Sequence, residues 1–181
     1  MSAYKKSAAM QHKVHMVTGG WRSGASAYAL KLSQSWERRT IITTQMSRDE
    51  DILEHIANYK RDLVDDTCET VEVPVDIVGA IKNVRGRICI VDDIGTWIMN
   101  IMSLHDAENP SSYKEIDDLI EFLKDPPCEV IIVTREMNMG LHTPDIKRRR
   151  YRDVVGRANQ KIAALADTVY ICVSGLPLKV K

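Results

Sequence analysis

Between Val17 and Leu30 the chain reads VTGGWRSGASAYAL. Gly19, Gly24 and Ser26 stand at the spacing of a phosphate-binding loop, G-x-x-x-x-G-K-[ST], and Ala25 stands where that pattern carries lysine. In such a loop successive backbone N–H groups cradle phosphates and the helix that follows presents its positive end. The candidate nucleotide-binding residues are therefore Gly19, Gly20, Trp21, Arg22, Ser23, Gly24, Ala25 and Ser26, with the Ser26 hydroxyl as a Mg²⁺ ligand. Alanine at position 25 removes the cation that would face the outer phosphates. Loss of one preorganised charge stabiliser typically slows a reaction on the order of 10²–10³-fold, so binding through the backbone is expected to survive better than phosphoryl transfer. The competing reading is a tight strand-to-helix turn with no ligand.

A second acidic element lies downstream. ICIVDD (88–93) is an apolar run that ends in two carboxylates, able to position Mg²⁺ through Asp92, ahead of Asp93. Carboxylates there can equally cap the next helix. One basic stretch, IKRRRYRDVVGR (146–157), stands out, but a nucleic-acid surface needs wider positive charge and stacking aromatics. Lys plus Arg balance Asp plus Glu at 25 each and aromatics make up 6%, so nucleic acid is set aside as a partner. Lys147, Arg148 and Arg150 read as a solvated helix face, and the acidic SRDEDILE (47–54) as a helix start.

These residues need strands and helices to place them. VHMVTG (14–19), TIITTQ (40–45), ICIVDD (88–93), VIIVTR (130–135) and TVYICVS (168–174) are short, rich in Ile and Val and not alternating, as expected of parallel strands covered on both faces. TVEVP (70–74) is weaker and reads as an edge strand, because Pro74 cannot donate to a ladder. Helices are expected over 26–38, 48–61, 75–84, about 112–124 with a Ser-Ser cap, and 144–166. Strands alternating with helices predict a single α/β domain over residues 13–181, a mainly parallel sheet flanked by helices, behind a flexible leader at 1–12. No stretch approaches the length of an apolar membrane span, and the first residues lack the apolar run of a signal peptide. Cys89 and Cys172 sit in apolar runs as small buried hydrophobes, and none of the four cysteines follows a C-x-x-C metal pattern. Together these features suggest a reducing, cytoplasmic setting.

Beyond the loop, the chain resembles the bifunctional adenosylcobinamide kinase/adenosylcobinamide-phosphate guanylyltransferases over most of residues 14–181. VTGGWRSGAS looks like the family's V-T-G-G-x-R-S-G-K-S. IVDDIGTWIMNIM is similar to its strand-end acidic segment followed by T-x-W-x-x-N, matching Asp92, Thr96, Trp97 and Asn100. VTREMNMGLHTP resembles V-T-x-E-x-G-x-G-x-V-P. The C-terminal run RYRDVVGRANQKIAALADTVYICVSGLPLKVK matches the family signature most closely, including Arg152, Asp153, Gly156, Asn159, Gln160, Ser174, Gly175 and Lys179. Glu72, Arg149 and Arg157 are further family-matched positions. The resemblance implies a P-loop NTPase-like fold, GTP or ATP with Mg²⁺ as cofactor, a cobinamide-type corrinoid as substrate or ligand, a homotrimer, and GMP transfer through a guanylylated histidine in cobalamin assembly.

Departures from the family set the expected activity. The helical R-I-x-x-H-[KR] pattern that carries the nucleophilic histidine is represented by HIANYK (55–60), with Tyr59 in the histidine's place. A phenol with a pKa of about 10 is a poor substitute for a neutral imidazole nitrogen. His55, one helical turn earlier, is a weak candidate replacement. The family's Trp-x-Thr-x-Glu becomes Cys68, Thr70 and Glu72, and Asn138 occupies a family glycine position, with one extra residue before Pro144. Trp21 stands where the family has a small residue, either to stack on nucleotide or corrinoid or to cover the loop at a subunit boundary. The leading expectation is a nucleotide-binding family member with weak or lost catalysis. Two alternatives stay open: an active enzyme with Arg22 or a neighbouring subunit replacing the lysine, and a structural oligomer partner that binds no nucleotide.

Overall fold

The structure is a computed structural model that describes residues 12–45, 68–105, 113–137, 139–140 and 144–181. Its strands are β1 (Val14–Gly19), β2 (Arg39–Thr43), β3 (Cys68–Glu72), β4 (Ile88–Asp92), β5 (Glu129–Arg135), β6 (Thr168–Val173) and β7 (Leu176–Lys179). The helices are α1 (Ala25–Ser33), α2 (Ile77–Lys82), α3 (Ile94–Leu104), α4 (Lys114–Phe122) and α5 (Ile146–Leu165). The strands form one sheet in the order β3-β2-β4-β5-β1-β6-β7. Every pairing is parallel except the last, where β7 returns antiparallel to β6.

Alternate side chains of the central strands feed two cores, because successive residues of a strand point to opposite faces. Val17, Ile41, Ile88, Ile90, Ile131 and Val133 face α1, where Ala25, Ala29 and Leu30 cover them. Val14, Met16, Ile42, Cys89, Val91, Val130 and Ile132 face the other way, into a larger core with Trp97, Ile98 and Ile101 of α3, Ile116 and Leu119 of α4, and Val155 and Ile162 of α5. The unbroken apolar runs in the sequence thus belong to strands covered on both sides. The chain folds as a single α/β domain with a mainly parallel sheet flanked by helices.

Five strands lie where the apolar runs place them, and β3 takes the predicted edge. Several expectations are corrected. Helix α1 stops at Ser33 rather than Arg38: the Ser33 hydroxyl donates to the Leu30 carbonyl at 2.8 Å, and the chain turns to enter β2. Helix α2 spans Ile77–Lys82 rather than 75–84, because the Asp76 side chain caps it by accepting from the Gly79 N–H at 2.8 Å. Helix α4 begins at Lys114 with Tyr113 at its cap position and no side-chain cap bond, so the Ser-Ser cap is not its start; Ser111 and Ser112 lie outside the described residues. Asp145 caps α5, accepting from the Lys147 and Arg148 N–H groups, which places Pro144 before the helix.

Two elements add to those expected. Helix α3 follows β4 directly, and β7 forms a hairpin with β6 through Ser174 and Gly175, both at positive φ (52° and 83°), as a type I′ turn requires. The expected helix at 48–61, the acidic 47–54 segment, Tyr59, His55, Asn138 and all of the 1–12 leader except His12 lie outside the described residues. Among the described residues no helix is long and apolar enough to cross a membrane.

Candidate functional site

The loop and the strand-end residues anticipated in the described part of the chain lie at the carboxyl ends of the parallel strands. Gly19 ends β1, Asp92 ends β4, Arg135 ends β5 and Glu72 ends β3. In open parallel sheets this edge is where ligands bind. Gly19 and Arg135 are direct register partners, and the Glu136 N–H donates to the Gly19 carbonyl at 2.9 Å, so the mouth of the loop and the end of β5 are held at one level.

The loop from Gly20 to Gly24 turns β1 into α1 under tight steric constraint. Gly24 adopts φ 91°, and a Cβ there would stand 3.0 Å from the Cα of Gly175. The Gly175 N–H in turn donates to the Ser23 carbonyl at 2.9 Å. The C-terminal hairpin therefore fastens the back of the loop, which gives Ser174 and Gly175 a structural reason to sit beside it. At Gly19 a Cβ would fall 2.2 Å from Ser23 Oγ and 2.7 Å from the Cys172 carbonyl oxygen. Ser23 Oγ is buried with no hydrogen-bond partner among the described residues. An unpaired buried hydroxyl is costly unless a ligand or water meets it.

Ala25, 8% exposed, packs into the α1-side core and offers no charge at the start of the helix. Ser26 Oγ donates to Asp92 Oδ1 at 3.1 Å, bringing together the two residues singled out as Mg²⁺ ligands. Asp93 has a different task. Its Oδ1 accepts from the Thr96 N–H at 2.7 Å and so caps α3, while its Oδ2 takes the Arg135 guanidinium, at 2.7 Å from Nη2 and 3.1 Å from Nε. The helix-capping reading of the paired carboxylates thus falls to Asp93, while Asp92 lies against Ser26.

Trp21 is 71% exposed, and its ring lies 4.6 Å from the Arg135 guanidinium carbon, a cation–π contact across the loop's mouth. Arg22 is exposed at φ 56°. Gly20 has open space around its Cα. Tyr151 of α5 closes the floor: its hydroxyl stands 3.0 Å from where a Gly95 Cβ would be and has no partner among the described residues. Burial pushes its phenol up to about 12, with Asp93 adding to the rise and the Arg135 charge opposing it. It is a proton-bearing group throughout the working pH range.

The other family-matched residues fall into two sets. Asn100 is buried, and its Nδ2 donates to the Thr44 carbonyl at 2.8 Å and to the Pro74 carbonyl at 3.0 Å, tying the exits of β2 and β3 to α3. Trp97 Nε1 donates to the Val75 carbonyl at 2.6 Å, and Thr96 Oγ1 accepts from Arg135 Nη2 at 3.1 Å. Asn159 accepts from Thr134 Oγ1 at 2.7 Å and donates to the Arg135 carbonyl at 3.0 Å. These side chains fix the strand ends. Glu72 and Arg157 are exposed, and Arg149 is half-buried. Arg152 Nη2 donates to the Gly140 carbonyl at 3.3 Å. Of the face read as solvated, Lys147 and Arg148 are exposed, but Arg150 is not simply solvated: its Nη2 donates to Tyr113 Oη at 2.9 Å and its guanidinium sits over that ring. An aromatic at the cap of α4 gives it a partner that the charge pattern alone does not reveal.

Sequence reasoning misses Tyr151 and, above all, Arg135. Arg135 ends an apolar run in the manner of an ordinary strand terminus. Its register opposite Gly19 becomes visible only when β5 and β1 are known to be neighbours. Among the described residues no group of three or more His, Cys, Asp or Glu side chains could hold a metal ion.

A parallel sheet whose central strand feeds a glycine loop and a helix, with a Ser–Asp pair beside it, defines a P-loop α/β protein. The chain belongs to the cobinamide kinase / cobinamide phosphate guanyltransferase family, whose model matches residues 15–180. It is 30% identical to the bifunctional adenosylcobalamin biosynthesis protein CobU of Salmonella typhimurium, covering 92% of this chain and 98% of that protein. It is 28% identical to the bifunctional adenosylcobalamin biosynthesis protein CobP of Pseudomonas aeruginosa, covering 92% and 96%. Among solved structures, a prototypical ATPase from the type III secretion system of pathogenic bacteria superposes with a TM-score of 0.56 at 11% identity, over 93% of this chain and 57% of that one. The ATPase EscN of enteropathogenic Escherichia coli, in complex with its central stalk EscO, gives 0.57 at 9% identity, over 88% and 42%. At those identities the likeness speaks for the fold alone.

Proposed function

We propose that this protein is a cobinamide kinase/cobinamide-phosphate guanylyltransferase-like nucleotide-binding member of cobalamin nucleotide-loop assembly, with weak or lost catalysis. The family supports the pathway, the GTP or ATP cofactor and a cobinamide-type corrinoid as the second ligand. The observation that carries the retained binding is the loop itself: the left-handed Gly24 turns the end of β1 into the N-terminus of α1, beside the Ser26–Asp92 pair. The chain would work in the cytoplasm as a homotrimer.

The Ser26 hydroxyl and the Asp92 carboxylate are hard oxygen donors already in contact, a fit for Mg²⁺ with the phosphates completing its shell. Bound there, Mg²⁺ would neutralise phosphate charge. The N–H groups at the start of α1 would hold the phosphate chain, and Trp21 would shield it from water. Reduced turnover is inferred from two replacements, Ala25 for the loop lysine and Tyr59 for the guanylylated histidine; His55 would have to take an altered substrate position to serve instead.

A titration with GTP and Mg²⁺, followed by Trp21 fluorescence and calorimetry, tests this reading. Micromolar binding with no turnover of adenosylcobinamide is the expected result, and the absence of binding up to millimolar GTP would overturn it. Ala25→Lys should tighten GTP binding without restoring guanylyl transfer; GMP covalently attached to that variant would contradict the role given to Tyr59. A second reading, an active enzyme with a compensating cation, draws support from the guanidinium beside the loop.

A further inference from the structure

The loop that lacks its lysine is not without a cation nearby. Arg135 leaves β5 level with Gly19, and its side chain lies under Trp21 of the loop and against Asp93. Its Nε and Nη2 are committed to Asp93 Oδ2, and Nη2 also donates to Thr96 Oγ1. Nη1, with two N–H groups, has no partner among the described residues. The side chain is 23% exposed. One edge of the guanidinium is thus anchored and the other open.

Three features separate this arrangement from an incidental ion pair. Arg135 is fixed at both ends, since Asn159 Nδ2 holds its backbone carbonyl while Asp93 and Thr96 hold its head. Asp93 is itself pinned as the cap of α3, so the anchor does not drift. The Trp21 ring lies against the guanidinium, its centroid 4.6 Å from the guanidinium carbon, and a cation–π contact leaves the N–H groups of the fork for hydrogen bonding. A planar fork of this kind suits phosphate oxygens better than a flexible ammonium.

We propose that Arg135, reaching from the end of β5, supplies the phosphate-binding cation that Ala25 does not, contacting the outer phosphates of a nucleoside triphosphate in the loop. This rests on the nucleotide-binding reading above. It differs from that reading in naming the charge and its source: a strand residue of the same chain, rather than the exposed Arg22 or a neighbouring subunit.

Calorimetric titration of the full chain with GTP and, separately, GMP, each with Mg²⁺, tests it. Arg135→Gln should weaken GTP binding about tenfold to a hundredfold, the range for a lost charge-assisted hydrogen bond, and leave GMP nearly unchanged. Adding Ala25→Lys to Arg135→Gln should restore most of the GTP affinity. Because Arg135→Gln leaves Asp93 without its counter-charge, the Asp93→Asn/Arg135→Gln variant repeats the measurement with a neutral pair that still caps α3. If the wild-type protein binds GTP and both Arg135 variants bind it equally well, the assignment of Arg135 is overturned while nucleotide binding stands. Equal weakening of GTP and GMP also overturns it, since that marks a collapsed loop. A wild-type protein that binds neither nucleotide overturns the parent reading and this one with it.

Discussion

Asn159 offers a direct test of how the site edge is held. The residue matches a family position, so a substrate contact and a structural role are both conceivable, but the geometry assigns it to the scaffold. Its Oδ1 accepts from the hydroxyl of Thr134 at 2.7 Å, its Nδ2 donates to the Arg135 carbonyl at 3.0 Å, and both Asn159 and Thr134 are buried. Asn159→Leu keeps the γ-branched shape, with a larger volume, and removes both bonds, leaving a hydroxyl and a carbonyl to be satisfied elsewhere. Each such loss costs about 1–3 kcal/mol, so the variant should lose roughly 2–6 kcal/mol. For a domain of this size that corresponds to a fall in melting temperature of roughly 4–24 °C. Urea unfolding of the wild type, Asn159→Leu, Thr134→Val and the double variant separates the terms. The double variant should be less destabilised than the sum of the singles by about 1 kcal/mol, because Thr134→Val removes the orphaned hydroxyl. Strict additivity would refute the hydrogen-bond argument. So would an Asn159→Leu protein with unchanged stability and abolished ligand binding, which would make Asn159 a substrate contact.

Other consequences can be checked separately. Gly24→Ala forces a side chain into φ 91° with its Cβ 3.0 Å from Gly175 Cα, and should cost about 2 kcal/mol of stability and weaken GTP binding; a neutral effect on thermal unfolding would mean the hairpin does not lock the loop. Under native conditions iodoacetamide should modify half-buried Cys68 first and spare Cys89, Cys128 and Cys172 until denaturant is added; the Cys89 thiol is held well above its ordinary value by its contact with Cys128 and by burial, and that of Cys172 is raised by burial. Mass spectrometry of the labelled peptides decides the order. Burial raises the Glu115 carboxyl, but the hydrogen bond with His105, its own backbone N–H and the imidazole charge outweigh that, leaving it below its ordinary value. A depressed carboxylate stabilises above its unfolded pKa of about 4.3 and loses that contribution as pH falls through the folded value. Glu115→Gln should therefore be less stable than wild type near neutral pH, with the gap closing as the pH falls through the lowered folded value; a gap independent of pH would count against the pairing.

The central strands can be read from sequence because they are buried on both faces, and unbroken Ile and Val runs of that length rarely occur in a surface strand or a loop. The edges are harder. β7 has only four residues, contains Pro177 and exposes all of them, so neither periodicity nor burial marks it; the Ser174–Gly175 turn is the available signal. Helix α3 is hidden because IGTWIMNIMSL continues the apolar character of ICIVDD with no polar break except the Asp pair, and Asp93 is its cap. At the site, the loop and Asp92 are legible from local spacing, whereas Arg135, Tyr151 and the hairpin contact to Ser23 are products of strand order. Residues more than a hundred positions apart meet there, and no window of sequence contains both.

That long-range contact also changes the electrostatics inferred from the loop alone. A site with Asp92 and Asp93 at one strand end and no lysine would set two negative charges beside a triphosphate. At a separation of about 6 Å and an effective dielectric of about 20, each would oppose a phosphate charge by about 3 kcal/mol. The Arg135–Asp93 pair removes one of those charges from the balance, and the remaining one, Asp92, is the carboxylate in contact with Ser26 and suited to a cation. Arg135 thus has two effects in one position: it silences Asp93 and keeps Nη1 open beside the loop. Lysine restored at position 25 would replace the second effect but not the first. The Ala25→Lys/Arg135→Gln variant should accordingly bind GTP less tightly than Ala25→Lys alone, and the addition of Asp93→Asn should close that gap. If Asp93→Asn made no difference, its charge would already be neutralised without Arg135, and the proposed division of labour between the paired carboxylates would fail.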